Sequence, residues 1–177
     1  IANEFKNRGA EVILVTSVKN DSINRDIKII EVISTKDMFE AVKNNFKDCD
    51  YIVKAAAVSD YTPVQVYDKK VKKQDGNLTI EFDRTQDILK YVGENKNENQ
   101  IVVGFAAETN DLIAYAREKI VKKNLDYIVA NDISKKDIGF GSEDNEVSII
   151  DKFNNITKID KTSKANIAKE IVDIISK

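Results

Sequence analysis

Two groups of lysines are the residues of this sequence whose type and spacing best suit chemistry. Lys119 and Lys123 are four residues apart in a segment of helical periodicity, so both side chains lie on one face of the predicted helix. The second group follows the proline of the chain and consists of Lys69, Lys70, Lys72 and Lys73. Lysine can hold phosphates as a point charge, but cations also stabilise helix C-termini and loop lysines are usually solvated. The residues alone leave both interpretations open.

Small and polar residues at the ends of three apolar segments are the other candidates. These ends read AAAVSD, GFAAET and VANDIS. Ala56 and Ala57 could leave room for a substrate, because small residues let a backbone approach a ligand closely, and Asp60 could be a polar anchor or a ligand on the metal side. Phe105 and Asn131 could offer a stacking surface and an amide to a nucleobase. Each also has an ordinary structural explanation as a packed strand end, a core ring or a turn residue.

The absence of histidine restricts the chemistry further. It excludes a Ser-His-Asp or Cys-His nucleophile and a histidine-bound zinc, and the single cysteine, Cys49, excludes an internal disulfide. The remaining groups suit phosphoryl or nucleotidyl transfer, which depends on positioning and charge neutralisation. The sequence has neither a P-loop motif nor a GxGxxG fingerprint, and the turn Gly139–Asn145 is weak evidence by itself.

Length and composition predict one domain. The chain has 177 residues, 42% of them hydrophobic, and a formal net charge of −2. It can therefore bury a sizeable core, and it has no electrostatic footprint for nucleic acid or a membrane surface. No apolar run reaches the roughly 20 residues of a membrane span. We expect a single cytoplasmic domain.

Apolar strands alternate with helices, a pattern typical of an α/β fold with a mainly parallel, doubly wound sheet. The predicted strands lie at 11–17, 27–34, 51–58, 78–82, 100–108 and 126–132, with a final hairpin of 146–151 and 156–160. The predicted helices are a segment ending at Gly9, 36–46 capped by Thr35, 85–95 opening at Thr85, 110–124 and 163–176. In such a fold a ligand binds beyond the carboxyl ends of the parallel strands.

Five segments, in this order and with these separations, resemble the phosphopantothenate–cysteine ligase domain of coenzyme A biosynthesis: AAAVSDYTP, KKVKKQ, GFAAET, AREKIVKKNLDYIVAND and GFGSEDN. They are most similar to the bacterial form, in which the ligase follows a flavin-dependent decarboxylase domain in one bifunctional polypeptide. The resemblance extends over essentially the whole chain. It implies a Rossmann-like three-layer fold with a mainly parallel central sheet, an antiparallel C-terminal hairpin and a small strand region for dimerisation.

The resemblance implies a two-step reaction with CTP and Mg²⁺. The carboxylate of 4′-phosphopantothenate displaces pyrophosphate from CTP to give an acyl-cytidylate, and the amine of L-cysteine then displaces CMP. ATP in place of CTP remains an alternative, and FMN would belong only to the separate decarboxylase domain. Such chemistry needs alignment and charge neutralisation more than a histidine base.

The resemblance also implies roles for individual residues. Lys70 matches a catalytic lysine on a flap, Tyr61–Lys73, whereas Ala56 and Ala57 border phosphopantothenate, with Asp60 close to both substrate and nucleotide. The nucleotide-binding positions are Asp60, Lys70, Thr85, Gln86, Asp87, Ile88, Phe105, Lys119, Lys123 and Asn131. The turn at 85–88 opens a helix whose backbone contacts the nucleotide, as helix N-termini do. No side chain is assigned as a metal ligand.

Two further expectations concern assembly and completeness. Members of the family are dimers that use the region equivalent to Leu78–Phe82, and an isolated short strand needs a partner, so we expect a homodimer, or a larger assembly through a fused decarboxylase domain. The family begins with a strand, a glycine-rich turn and an asparagine-bearing segment that turns over the acyl-cytidylate. This segment does not occur before Ile1. We therefore predict that these 177 residues alone do not complete ligation.

Two other functions stay open. A truncated, catalytically incomplete domain of the same family would bind CTP without turnover. An NAD(P)-linked Rossmann enzyme would share the sheet topology, but its glycine fingerprint does not occur in the sequence, and fold analogy is a poor guide to function. Binding of NADPH but not of CTP would favour this last function.

Overall fold

In the part of the chain that the structure describes, the strands form one sheet of five strands and two separate pairs. The computed structural model describes residues 1–18, 20–67, 69–72, 76–108, 111–132 and 144–177. The strands are β1 Ile13–Thr16, β2 Lys28–Glu31, β3 Tyr51–Lys54, β4 Tyr61–Pro63, β5 Phe82–Arg84, β6 Ile101–Glu108, β7 Tyr127–Asp132, β8 Asp144–Asp151 and β9 Ile156–Ser163. The helices are α1 Ala2–Asn7, α2 Thr35–Asn45, α3 Ile88–Asn95, α4 Leu112–Lys123 and α5 Lys164–Ile175.

The five-stranded sheet has the order β3-β6-β7-β8-β9. The strands β3, β6 and β7 run parallel, and β8 and β9 add two antiparallel strands beyond β7. Helices cover both faces, and this is why the central strands are nearly continuous apolar runs. The predicted α/β fold with a mainly parallel sheet and an antiparallel C-terminal hairpin is confirmed.

Successive side chains of the central strands enter two different cores. Val102 and Ile128 pack in a cluster with residues of α3 and α4, whereas Val103 and Val129 pack in a cluster with residues of α5. This alternation follows from the pleat of a strand, and the two clusters give the fold its three layers. Within the described ranges no helix is long and apolar enough to cross a membrane.

The first two strands form a parallel pair of their own, β1 with β2. In the part of the chain that the structure describes, no ladder of backbone hydrogen bonds joins β1 to β3. A cavity of about 520 Å³ lies between them, and Val15, Val53 and Leu89 are among the residues that line it. The predicted sheet therefore contains β3 and β6 to β9, whereas β1 and β2, like β4 and β5, pair separately.

Ser34, not Thr35, caps the helix α2. The Ser34 hydroxyl accepts the Asp37 amide at 3.1 Å, and the Asp37 carboxylate accepts the Ser34 amide at 2.9 Å. This reciprocal pair is a capping box. The sequence placed the cap at Thr35, one residue late, because Ser34 and Thr35 both carry a hydroxyl.

The helix α3 begins at Ile88, not at Thr85 as predicted. Asp87 has an extended backbone, and its carboxylate accepts the Lys90 amide at 3.0 Å, so Asp87 is the N-cap. Ile88 is the first helical residue and its side chain is buried. Thr85, Gln86 and Asp87 therefore precede the first helical residue of α3.

Two strand predictions are wrong in position. The strand predicted at 78–82 is instead β5, and it pairs antiparallel with β4, with Tyr61 opposite Arg84 and Pro63 opposite Phe82. The third predicted strand, 51–58, ends at Lys54. The last four residues of the predicted strand are three alanines, all exposed, and Val58.

Candidate active site

The carboxyl ends of β3, β6 and β7 meet at one edge of the sheet because these strands are parallel. Lys54, the last residue of β3, lies opposite Gly104, and Ala107 of β6 lies opposite Asn131 of β7. Ligands of open α/β sheets bind at this edge. The residues that the sequence singled out are distributed along it.

Thr85 joins the exit of β3 to the approach of α3. Its hydroxyl donates to the Ser59 carbonyl at 2.6 Å, and its amide donates to the Asp60 carbonyl at 3.0 Å. These bonds hold Asp60 beside the start of α3. Ala56, Ala57 and Asp60 are exposed, and the two alanines line the 520 Å³ cavity. The structure thus leaves all three accessible to a ligand.

Lys123 reaches from the end of α4 to the start of α3. Its Nζ lies 2.8 Å from the Asp87 carboxylate, so an ion pair stands at the helix N-terminus. Burial alone would raise the pKa of Asp87, but the hydrogen bonds from Lys123 and from the Lys90 amide outweigh burial and lower the pKa. The Asp87 side chain is therefore held as an anion, with a lysine against it.

Gly93 brings α3 and α4 close enough for this ion pair. A Cβ at Gly93 would lie 1.8 Å from the Lys123 carbonyl oxygen, so only glycine fits against that backbone. Asn124 ends α4 in the left-handed conformation, and its side-chain amide donates to the Gly93 carbonyl at 2.8 Å. The contact between the two helices positions Lys123.

Lys54 joins the same cluster, although the candidate list from the sequence did not include it. It is half-buried, and its Nζ donates to the Ala56 carbonyl at 3.0 Å. Burial and then repulsion from Lys123 lower its pKa, opposed by Asp87 and Asp60. The available signal was a single lysine in an otherwise apolar strand, directly before AAAVSD.

Phe105 and Asn131 lie on the other face of the sheet edge. Phe105 packs against the α5 cluster, and Asn131 has the same strand parity as Val129, which belongs to that cluster. The Asn131 Oδ1 is buried and has no hydrogen-bond partner within the described ranges. A ligand across the edge could contact the lysine cluster on one face and these two residues on the other.

The remaining nucleotide-binding predictions have mixed positions. Lys119 and Lys123 are both half-buried on one face of α4, as their spacing predicts, whereas Lys122 between them is exposed. Gln86 is exposed beside Asp87. Because the Ile88 side chain is buried in the core, only its backbone could contact a ligand.

The lysines of the flap have less structural context. Lys69, Lys70 and Lys72 are exposed and lie outside helices and strands. Lys73 lies outside the described residues, as do the first five residues of the turn 139–145. The assignment of Lys70 as catalytic stays a prediction.

The described side chains do not form a metal cage. Nowhere in the described ranges do three or more Asp, Glu, Cys or His residues come together in a way that could hold an ion. Mg²⁺ is usually bound by one or two carboxylates together with substrate phosphates, and magnesium at this edge stays a prediction.

Comparison with known proteins identifies a family that matches the whole chain. Residues 1–177 match the model of the family described as the DNA/pantothenate metabolism flavoprotein C-terminal domain. The chain is 46% identical over 169 residues to the coenzyme A biosynthesis bifunctional protein CoaBC of Bacillus subtilis strain 168, and the match covers 95% of this chain and 41% of that protein. The chain thus spans about two fifths of the length of this curated relative.

Two solved structures share the architecture. The crystal structure of the C-terminal domain of a CoaBC protein has a TM-score of 0.78 and 35% identity, covering 98% of this chain and 77% of that one. A Cab2 mutant in complex with phosphopantothenate-cysteine has a TM-score of 0.71 and 15% identity, covering 98% of this chain and 74% of that one. The second likeness shows the fold alone.

Proposed function

The chain belongs to the DNA/pantothenate metabolism flavoprotein C-terminal domain family, and from this premise we propose that it catalyses the ligation of 4′-phosphopantothenate with L-cysteine, driven by CTP. The observation that carries the proposal is the ion pair of Lys123 and Asp87 at the start of α3, beside the exposed strand exit at Ala56 and Ala57. Cations, a helix N-terminus and an accessible backbone converge there, as nucleotidyl transfer requires.

The proposed reaction has two displacements. A carboxylate oxygen of 4′-phosphopantothenate forms a bond to the α-phosphorus of CTP, and the bond from that phosphorus to the bridging oxygen breaks to release pyrophosphate. The amine of cysteine then bonds to the acyl carbon, CMP leaves with the former carboxylate oxygen, and the amine loses a proton. Both steps develop negative charge on phosphate oxygens, which fixed cations stabilise.

The lysines supply those cations in the proposed complex. Lys119 and Lys123 approach from the last turns of α4, and Lys70 approaches from the flap. The backbone of residues 85–88 offers amide donors at the start of α3. Mg²⁺ would be bound by the triphosphate, and Asp60 would be the nearby carboxylate on the substrate side.

Phe105 and Asn131 are proposed to receive the base. The buried Asn131 Oδ1 is an acceptor without a protein partner in the described part of the chain, so a base with an exocyclic amine would satisfy it. Cytosine and adenine both carry that amine in a comparable place, whereas uracil presents a carbonyl there. This observation favours CTP or ATP over UTP, and it leaves the choice between the first two to experiment.

A pyrophosphate-release assay tests the function directly. We expect release from CTP that depends on 4′-phosphopantothenate, with slower release from ATP and least from UTP. Competition between CTP and ATP then ranks the two nucleotides. If neither nucleotide yields pyrophosphate with the acid substrate in the complete gene product, the proposed ligase function is wrong.

The family's first strand has a place in this fold. We propose that the strand and the asparagine-bearing segment expected from the resemblance lie between β1 and β3, where the 520 Å³ cavity is lined by apolar residues of both.

The arm, Tyr61 to Arg84, includes β4 and β5 and is the proposed dimer contact. Large apolar side chains are exposed along it, at Tyr61, Val64, Val66, Tyr67, Val71, Leu78, Ile80 and Phe82. A two-stranded ribbon of this kind is marginal by itself, and pairing with a second copy would bury these side chains. Light scattering at micromolar concentration should give a dimer, and L78D should shift it toward monomer. A monomeric wild type would remove this proposal.

A further inference from the structure

Lys54 is a charged residue of the site that has no role in the reaction as proposed. It ends β3, it is half-buried, and it lines the same cavity as Ala56 and Ala57. In the described part of the chain its Nζ shows one hydrogen bond, to the Ala56 carbonyl at 3.0 Å. An ammonium group has three donors, so two remain for a ligand.

Charged groups of both signs lie near Lys54. Lys123 is near it from α4, Asp87 from the start of α3 and Asp60 from the segment after β3. Asp87 is already engaged by Lys123 at 2.8 Å and by the Lys90 amide at 3.0 Å. Within the described ranges neither aspartate is hydrogen-bonded to Lys54, whose pKa is lowered by burial and by repulsion from Lys123.

We propose that Lys54 is a phosphate-binding residue of this site, whose ammonium donates to a phosphate group that Lys123 also contacts. The identity of the ligand rests on the proposed ligase function. The physical basis is an ammonium group with unused donors beside a second lysine. A phosphate would accept hydrogen bonds from both ammonium groups and would be attracted by both charges.

Two phosphates of the proposed reaction have this chemistry. One is the triphosphate of the nucleotide, and the other is the 4′-phosphate of the acid substrate. Lys54 is hydrogen-bonded to the Ala56 carbonyl at the strand exit, and Lys123 and Asp87 are near enough to shift its pKa, so its position suits either phosphate. The arms of the experiment distinguish them.

The test is calorimetric titration of the complete gene product, as wild type and as K54M, with inorganic pyrophosphate, CTP and 4′-phosphopantothenate in separate arms. Loss of one charge-assisted hydrogen bond should weaken pyrophosphate binding by about tenfold or more. The same loss should occur for whichever substrate supplies the phosphate, while the other substrate changes by less than about threefold. K54R should recover most of the affinity, which a purely structural lysine would not require.

K90M is the matched control. Lys90 is exposed and its Nζ lies 3.7 Å from Glu94 on the same helix α3, so this variant also removes one positive charge near the site, away from the cavity. We expect its pyrophosphate affinity to stay within about twofold of wild type. Urea unfolding checks that K54M is folded, and K54Q repeats the test with a polar side chain.

The outcomes separate this inference from the function on which it rests. If K54M and K54Q bind all three ligands as wild type does, Lys54 is not a phosphate-binding residue. If pyrophosphate binding depends on Lys54 but neither CTP nor 4′-phosphopantothenate binds, the inference holds and the proposed ligase function fails. If wild type binds none of the three, both fail.

Discussion

Two clusters of the same composition lie at opposite ends of the sheet. The carboxyl-edge cluster consists of Lys54, Asp87 and Lys123. The amino-edge cluster consists of Lys96, Asp126 and Lys152, where Asp126 immediately precedes β7. Each has two lysines and one aspartate, so residue types alone do not tell the two apart.

The amino-edge cluster is closed. The Asp126 side chain is 7% exposed and accepts hydrogen bonds from Lys96, from Lys152 at 2.9 Å and from the Val102 amide at 2.9 Å. One carboxylate therefore satisfies both lysines and a backbone donor. Burial alone would raise the pKa of Asp126, but these bonds lower it.

The carboxyl-edge cluster is open. The Asp87 side chain is 42% exposed, and it pairs with Lys123 but not with Lys54, which bonds a carbonyl instead. The positive charge of the carboxyl-edge cluster is therefore available to a ligand. Completeness of hydrogen bonding, rather than the residues present, therefore distinguishes the cluster that is closed within the fold from the one that is open to a ligand.

D126N should have the largest effect on stability. It leaves two lysines, of which Lys96 is largely buried, without a counter-charge, and breaking a buried ion pair costs about 3 kcal/mol or more of unfolding free energy. Urea unfolding at neutral pH measures this loss. Nucleotide affinity of the folded variant should be unchanged, because Asp126 lies at the other end of the sheet.

Lowering the pH should reduce the difference in stability between wild type and D126N. The folded-state pKa of Asp126 is lowered, so its contribution is present above the unfolded pKa of about 3.9 and is lost as pH falls through the folded value. The stability gap between the two proteins should narrow in that acidic window. A gap that stays constant there would mean that the ion pairs do not account for the loss.

K70Q should have the next largest effect, on catalysis alone. If Lys70 neutralises the triphosphate from the flap, its loss should slow pyrophosphate release by about a hundredfold or more. Because Lys70 is exposed, the unfolding free energy should stay within about 0.5 kcal/mol of wild type. K69Q and K72Q are the controls, and a similar slowing in either would remove the special role of Lys70.

G93A should perturb the carboxyl-edge cluster through the backbone. Its Cβ would overlap the Lys123 carbonyl oxygen, so α3 and α4 must separate, at a cost of about 1 to 3 kcal/mol. Pyrophosphate binding should also weaken because Lys123 moves away from Asp87. E94A, one residue further along α3, controls for helix effects, and equal losses in the two variants would contradict the close-contact argument.

D87N should have a small effect on stability and is the matched counterpart of D126N. Asparagine is also a good N-cap, so the helix start is preserved, and the ion pair with Lys123 is partly exposed. The unfolding free energy should fall by less than about 1 kcal/mol. If D87N proved as destabilising as D126N, the distinction between an open and a closed cluster would fail.

The sequence predicted the framework where apolar patterns are long. The strands β6 and β7 and the helices α4 and α5 have periodic runs that leave little choice of structure. The end of β3 was harder to predict. Ala55, Ala56 and Ala57 show no hydrophobic periodicity, so the position at which the strand ends depends on tertiary contacts. The helix start at Asp87 was missed since Thr85 is an equally good cap by residue type.

The site could be predicted only in part, and the reason is tertiary contact. Lys123 and Asp87 are both among the predicted positions, but their pairing is not, because the pair forms only where Gly93 lets two helices touch. Lys54 was not predicted because a single lysine in an apolar strand is weak evidence by itself. The Asn131 Oδ1 has no hydrogen-bond partner within the described ranges, and this depends on tertiary burial, which no local pattern reveals.

The hydrogen bonds of Thr85 with Ser59 and Asp60 mean that the arm enters and leaves the fold at one point. The ends of this excursion stay fixed whatever its length, and lengthening a closed loop costs little. Relatives can therefore lengthen or shorten the arm between Tyr61 and Arg84 without displacing Asp60 or Asp87. Insertions and deletions at this position should be tolerated between homologous sequences.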